Sequence, residues 1–252
     1  MNMIEQLSID LSNFCTKQCP FCYNHSSREG NIIWTPQEVI AFASDCIAHG
    51  VKAISLGGGE PFEYDGVLDI MDALFPQCYL TVTTNGIPLG RSIRWETLAA
   101  HKPDKIHISL HNPGTLECSM VLQKCIMLEK IGIKPGCNLL VAKSKLEECA
   151  LAYESLSRRL GPDQIILVPM RFKETPSPKD LSYVAGGKPF QSPSCILSCH
   201  PPQKFVSVSW DKKVNFCSYA GGKQPLPSLD YQGLQQALSQ VQFKSCMPHE
   251  NQ

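Results

Sequence analysis

Through the first 172 residues, short apolar runs alternate with longer segments whose apolar positions recur every three to four residues. That exchange of periods is the mark of buried strands alternating with amphipathic helices. The strand-like runs cover residues 6–12, 53–56, 79–84, 105–110, 137–141 and 164–170, and helix-period segments lie between them at 36–49, 64–74, 93–100, 115–131 and 145–160. Thr35, Pro36 and Glu38 supply an N-cap, a first-turn proline and the acid of a capping box, which fixes the start of the first helix. Strand-helix alternation predicts a parallel sheet with right-handed crossovers, curled or open, and six units are too few for a complete eight-stranded barrel. Functional residues are then expected at the carboxyl ends of the strands, where the loops leave the sheet.

The pattern breaks at residues 173–193, where Pro176, Pro178, Pro189, Pro193 and the Gly186-Gly187 pair interrupt any period and predict a linker. Residues 205–210 and 214–219 alternate around Asp211, Lys212 and Lys213 as a hairpin would, and a helix is expected at 229–241. The expected organisation is a catalytic domain over residues 1–190 and a small module over 191–252.

Composition narrows the function classes. A chain of 252 residues, 43% hydrophobic, can bury one sizeable core, and 23 basic against 23 acidic side chains leave no net field to attract nucleic acid or an anionic membrane. No apolar run approaches the ~20 residues that span a bilayer, and the first ten residues lack a secretory pattern, so a soluble, cytoplasmic protein is expected. Thirteen cysteines, about 5% of the chain, are too dilute for a disulfide scaffold and point to metal or redox chemistry.

The segment Cys15-Thr-Lys-Gln-Cys19-Pro-Phe-Cys22-Tyr23 follows the first strand and offers three thiolates. A structural zinc site uses four ligands, whereas three thiolates on a four-iron cluster leave one iron open. Read alone, the triplet is compatible with a cluster, with a zinc knuckle that borrows His25, or with buried thiols. Cys-x3-Cys-x2-Cys followed by an aromatic residue after a first strand resembles the signature of the radical S-adenosylmethionine superfamily. The resemblance implies an α/β fold, a partial (β/α)6 TIM-like barrel with a small C-terminal hairpin-plus-helix module. It implies that Cys15, Cys19 and Cys22 hold a 4Fe-4S cluster whose open iron chelates the methionine moiety of S-adenosylmethionine. Reductive cleavage of that cofactor yields a 5'-deoxyadenosyl radical that removes a hydrogen atom from a substrate.

Further motifs fit the same resemblance. Gly57-Gly58-Gly59-Glu60-Pro61 after the second strand is similar to the family's Gly-Gly-Glu-Pro turn and is assigned to the methionine amine, through a carbonyl or the Glu60 carboxylate. Tyr23, Asn85 in Thr83-Thr84-Asn85-Gly86, and Ser109 in Ser109-Leu110-His111-Asn112 match positions near the cofactor. Asn138, with Lys143 beyond it, and Arg171 complete an expected polar ring, in which an arginine fork suits a carboxylate. In the tail, Cys195, Cys199, Cys217 and Cys246 around the hairpin resemble a twitch or SPASM module and are expected to ligate an auxiliary 4Fe-4S cluster, with zinc as the alternative metal. Among the remaining cysteines, Cys137 is a candidate hydrogen-atom donor if its thiol faces the barrel interior. The expected partners are a reductase or flavodoxin-type electron donor and a peptide or small-molecule substrate. The competing class is a non-catalytic iron-sulfur carrier or a zinc-stabilised binding module.

Overall fold

The computed structural model describes residues 3–171, 174–193, 195 and 197–246. Residue 173 at the head of the expected linker and residues 247–252 at the end of the expected tail module lie outside them. The chain divides into two compact units, residues 1–105 with 201–245, and residues 106–200 with 246–252.

The first unit holds β1 (Gln6–Asp10), α1 (Pro36–Ala48), β2 (Ala53–Gly57), α2 (Val67–Leu74), β3 (Tyr79–Thr84) and α3 (Trp95–Ala100), and later in the chain β7 (Phe205–Val208), β8 (Lys213–Asn215), β9 (Gln224–Pro225) and α7 (Tyr231–Ser239). Its strands lie in the order β3-β2-β1-β7-β8-β9. β1 pairs in parallel with β2 (Asp10 opposite Gly57), β2 with β3, and β1 also with β7. Alternation sorts each strand in two: Leu7, Ile9, Ile54, Leu56, Leu80 and Val82 are fully buried, while Ser8, Ser55, Thr81 and Thr83 occupy the other face half-buried.

The predicted start of α1 is present, with Thr35 and Glu38 capping each other's backbone and Pro36 in the first turn. Its stop is a glycine in the left-handed region, Gly50 at φ 107°, with Gly50 N donating to Ile47 O and Val51 N to Cys46 O, the two bonds of a Schellman motif. Val39, Phe42, Ala43 and Cys46 form its buried stripe, each large apolar side chain there contributing roughly 1.5–3 kcal/mol.

The expected hairpin exists as β7 and β8, joined through Lys212 at φ 58°. Its second strand ends at Asn215 rather than near 219, because the Asn215 amide turns onto Ala220 O and Gly221 O and closes a loop. The hairpin is not a sheet of its own, since β7 extends the sheet beside β1. Lys212 pairs with Glu38 at 2.7 Å and lies 5.0 Å from the Trp34 ring, and Asp45 Oδ2 accepts from Tyr231 N at the start of α7.

The second unit contains β4 (Lys105–Leu110), α4 (Thr115–Lys130), β5 (Lys134–Val141), α5 (Leu146–Ser157), β6 (Ile165–Pro169) and α6 (Pro178–Val184), with strand order β6-β5-β4 and β5 parallel to β6. α6 corrects the expected linker. Ser177 and Asp180 form a capping box with Pro178 at the first position, the same start signal as in α1, and the left-handed Gly186 and Gly187 end the helix rather than extend a loop.

Candidate functional site

The three-cysteine loop leaves β1 at its carboxyl end and is tied down along its length. Cys15 N donates to Ser27 O at 2.8 Å, Ser27 N to Asn13 O at 3.0 Å, and Thr16 N and Oγ1 both donate to the Glu63 carboxylate, at 2.9 and 2.5 Å. Cys22 N donates to Cys19 O and His25 N to Cys22 O, coiling the segment that carries two of the thiols. Gln18 and His25 stand in the left-handed region at φ 50° and 49°, a cost of roughly 1–2 kcal/mol per residue that a loop carries only when its surroundings fix it. Cys15 is buried, and burial pushes its thiol up, whereas Cys19 and Cys22 are half-buried.

The glycine turn after β2 approaches this loop, and its contacts explain the glycines. Gly59 N donates to Ser12 O at 2.7 Å and Glu60 N to Phe14 O at 3.0 Å. A Cβ on Gly59 would lie 1.9 Å from Phe14 O, and one on Gly58, at φ 110°, 2.6 Å from Ser12 O. Gly30 comes as close from the other side, its Cβ position 2.1 Å from Asn13 O. These glycines therefore admit the stem of the cysteine loop itself.

Glu60 is fully buried, and its carboxylate accepts from Thr84 Oγ1 at 2.6 Å, Asn85 N at 2.7 Å and Phe62 N at 3.2 Å. Burial pushes it up to about 7 against the pull of those donors. The carboxylate thus latches the end of β3 to the turn, with Oε1 taking two of the three donors and Oε2 one. Asn85 is held by its own N–H on Glu60 and by Ile87 N donating to its Oδ1 at 2.7 Å, which aims Nδ2 at Cys15 Sγ, 3.7 Å away.

Three residues of this unit escaped the sequence reading. Asp10, 1% exposed, accepts from the Tyr23 hydroxyl at 3.1 Å through Oδ1, and its Oδ2 has no hydrogen-bond partner among the described residues. Burial pushes it up to about 6, with Lys223 pulling the other way, and burial also lifts the Tyr23 hydroxyl well above its ordinary range. Tyr219 lies against Tyr23 with ring centroids 4.7 Å apart, and Glu63 anchors the loop through Thr16. A carboxylate at an inward strand position, as in Leu-Ser-Ile-Asp10, was the available signal for the first; nothing local marks the other two.

In the second unit, Ser109 shares the His107 face of β4, and His107 Nδ1 lies 3.0 Å from Asn138 Oδ1 on β5. Cys137, next in chain to Asn138, points to the opposite face. It is fully buried, with Cys118, Cys125 and Glu117 of α4 as the charged and thiol groups nearest it, and burial lifts its thiol well above the ordinary range. The expected inward-facing hydrogen donor is thus corrected to a thiol of the helix-side core. Arg171, expected to clamp a carboxylate, directs Nη2 at Cys195 Sγ, 3.5 Å away, and Lys143 is exposed.

Among the described residues no three His, Cys, Asp or Glu side chains converge as they would on a single metal ion. A four-iron cluster binds each thiolate through a different iron and does not require such convergence, so a loop of three thiols, one of them already met by an amide donor, fits that group. No helix of the described residues is long and apolar enough to cross a membrane.

Comparison with known proteins agrees. A probable GTP 3',8-cyclase of Methanocella arvoryzae is 35% identical over 107 residues, 42% of this chain but 34% of that protein. A GTP 3',8-cyclase of Clostridium perfringens is 24% identical over 238 residues, 85% of this chain and 73% of that one. Among solved structures, Streptococcus suis SuiB bound to S-adenosylmethionine superposes with a TM-score of 0.67 at 16% identity, over 86% of this chain and 60% of SuiB. Native anSMEcpe with bound AdoMet gives 0.65 at 14%, over 93% of this chain and 83% of that one. This chain thus spans less than two thirds of the Methanocella relative and of SuiB, and the structural likeness is one of fold, the α/β class expected from the strand-helix alternation. Residues 9–126, from the end of β1 through the cysteine loop and into α4, match the model of the radical SAM superfamily.

Proposed function

We propose that this protein is an enzyme that holds a 4Fe-4S cluster on Cys15, Cys19 and Cys22, cleaves S-adenosylmethionine reductively, and takes a hydrogen atom from a small-molecule substrate. The observation that carries the reading is the cysteine loop, three thiols fastened at the carboxyl end of β1 against a glycine turn that no side chain could replace. When bound, the cluster and S-adenosylmethionine supply a 5'-deoxyadenosyl radical; the chain binds, orients and shields. The turn of Gly58, Gly59 and Glu60 is assigned to the methionine amine, through a main-chain carbonyl or the Glu60 carboxylate. Tyr23, Ser109 and Asn138 are the side chains assigned to the remainder of the cofactor.

A small molecule is favoured over a peptide because the sequence relatives are named for a reaction of GTP, whereas likeness to SuiB bound to its precursor peptide is of fold alone. Cys195, Cys199, Cys217 and Cys246 are assigned to an auxiliary cluster, a reading supported by the Arg171 guanidinium, which directs Nη2 at the Cys195 sulfur 3.5 Å away. A reductase or flavodoxin-type protein would supply the electron.

Anaerobic reconstitution followed by an assay for 5'-deoxyadenosine with dithionite tests the reading. About eight irons with cleavage support two clusters, about four with cleavage remove the auxiliary one, and absence of cleavage returns the chain to a carrier. Alanine at Cys15, Cys19 or Cys22 should abolish cleavage. Deuterium transfer into 5'-deoxyadenosine, screened across nucleotides, sugars and peptides, decides the substrate class.

A further inference from the structure

The amide of Asn85 faces a sulfur, and the surroundings fix that orientation. Its N–H donates to Glu60 Oε2 at 2.7 Å, and its Oδ1 accepts from Ile87 N at 2.7 Å. An Oδ1 so engaged cannot exchange places with Nδ2 without setting two donors against each other, so the flip state is decided by the network rather than by convention. Glu60, in turn, is pinned by Thr84 and Phe62, and Thr84 Oγ1 accepts from Gly86 N at 2.9 Å. The result is a donor held 3.7 Å from Cys15 Sγ, on the one buried thiol of the three. In such a poorly solvated place a hydrogen bond to sulfur carries more weight than it would in water.

We propose that Asn85 is a positioning residue for the radical-generating cluster: its amide donates to the Cys15 sulfur and raises the cluster's reduction potential. The inference rests on the assignment of Cys15, Cys19 and Cys22 to that cluster. Adding an electron makes the coordinating sulfurs more negative, so a donor at one of them stabilises the reduced form more than the oxidised form. The Glu60 latch acts one step further back, by holding Asn85 in register.

Two variants separate this role from a turn role and from a cofactor contact. Asn85→Ser and Asn85→Asp both keep an acceptor for Ile87 N and so keep the turn, but neither presents an amide to sulfur, and aspartate adds a negative charge. The midpoint potential is measured on the cofactor-free cluster by an EPR-monitored redox titration, with S-adenosylmethionine affinity measured beside it. The expected result is a more negative potential in both, most in Asn85→Asp. At a fixed poise the reduced-to-oxidised ratio should fall roughly three- to tenfold, where tenfold is 59 mV for a one-electron couple. Unchanged potentials in both variants would overturn the proposal, and a loss of cofactor affinity alone would reassign Asn85 to S-adenosylmethionine. Wild-type protein carrying isotopically labelled asparagine gives an independent readout if either variant fails to fold. A nitrogen hyperfine coupling to the reduced cluster is expected, and its absence overturns the assignment. A wild type that assembles no cluster defeats the underlying reading instead, so the two failures are distinct.

Discussion

The candidate site residues of the two units are held in different ways. At β1, β2 and β3 the polar groups are held by main chain: Gly59 and Glu60 amides on the carbonyls of Ser12 and Phe14, and the Glu60 carboxylate on two backbone amides and a threonine. In the second unit the candidate residues His107, Asn138 and Arg171 meet other side chains, His107 with Asn138 along the strands and Arg171 with Cys195, although past β4 the Glu117 carboxylate again accepts from two backbone amides, those of His111 and Asn112. Main-chain contacts survive any substitution that fits, but they forbid those that do not. Side-chain contacts can be rewritten residue by residue. Contacts of the first kind constrain which residues can stand at a position, and those of the second kind constrain them less.

The contrast is testable first at its most rigid point. Gly59→Ala puts a methyl group where Phe14 O already lies within 1.9 Å, so two stretches of backbone must part. We expect iron incorporation at the first cluster to be lost and the melting temperature to drop. Asn138→Ala in the second unit removes one side-chain bond, for about 1–2 kcal/mol, with iron content unchanged. Equal iron loss in both would erase the distinction. Next in size, Glu60→Ala leaves Thr84 Oγ1 and the amides of Asn85 and Phe62 without their acceptor, and urea unfolding should show about 3 kcal/mol less stability.

Asp10 shares the first unit with Glu60, yet one of its oxygens lacks a partner among the described residues, and replacing it is expected to stabilise the fold at high pH where replacing Glu60 weakens it. Its folded value of about 6 exceeds the ordinary 3.8, so between those values the native state holds the proton more tightly than the unfolded chain. The stabilisation from that proton is fully present below the unfolded value and is lost as pH rises through about 6. At 1.36 kcal/mol per pKa unit the loss is about 3 kcal/mol at most. Asp10→Asn keeps an acceptor for the Tyr23 hydroxyl and never charges, although Lys223 loses a partner and Asp211 a like neighbour. The variant should match the wild type in urea near pH 4 and exceed it at pH 8. A gap that narrows with rising pH would mean that Lys223 or a bound cation neutralises Asp10.

What could be read beforehand follows the same division between local and distant causes. All six strands of the first 172 residues and the capped start of α1 were legible, because period and cap are written in adjacent residues. Helix α6 was equally legible through Ser177, Pro178 and Asp180, a cap set among prolines and glycines that otherwise break the period. The parallel pairing of β7 with β1 was not legible, since it joins segments nearly two hundred residues apart and nothing in Phe205–Val208 names its neighbour. The site divided likewise. The cysteine spacing announced the loop, whereas the engagement of the Glu60 carboxylate depends on where β3 ends, and the approach of Gly30 to Asn13 depends on how the loop returns.

The smallest effect is expected at Cys137, and it bears on which face of the second unit does chemistry. Cys137 and Asn138 are adjacent, and a step of one residue reverses the face of a strand. The thiol is turned to Cys118 and Cys125 of α4 while Asn138 meets His107. Cys137→Ala should therefore cost about 1 kcal/mol for a small core void, with 5'-deoxyadenosine formation and product yield both at wild-type level. Cleavage retained with product lost would show instead that the thiol reaches a substrate radical. The second unit would then have to rearrange during turnover, and its strand ends could no longer be treated as a surface whose side chains change independently of the fold.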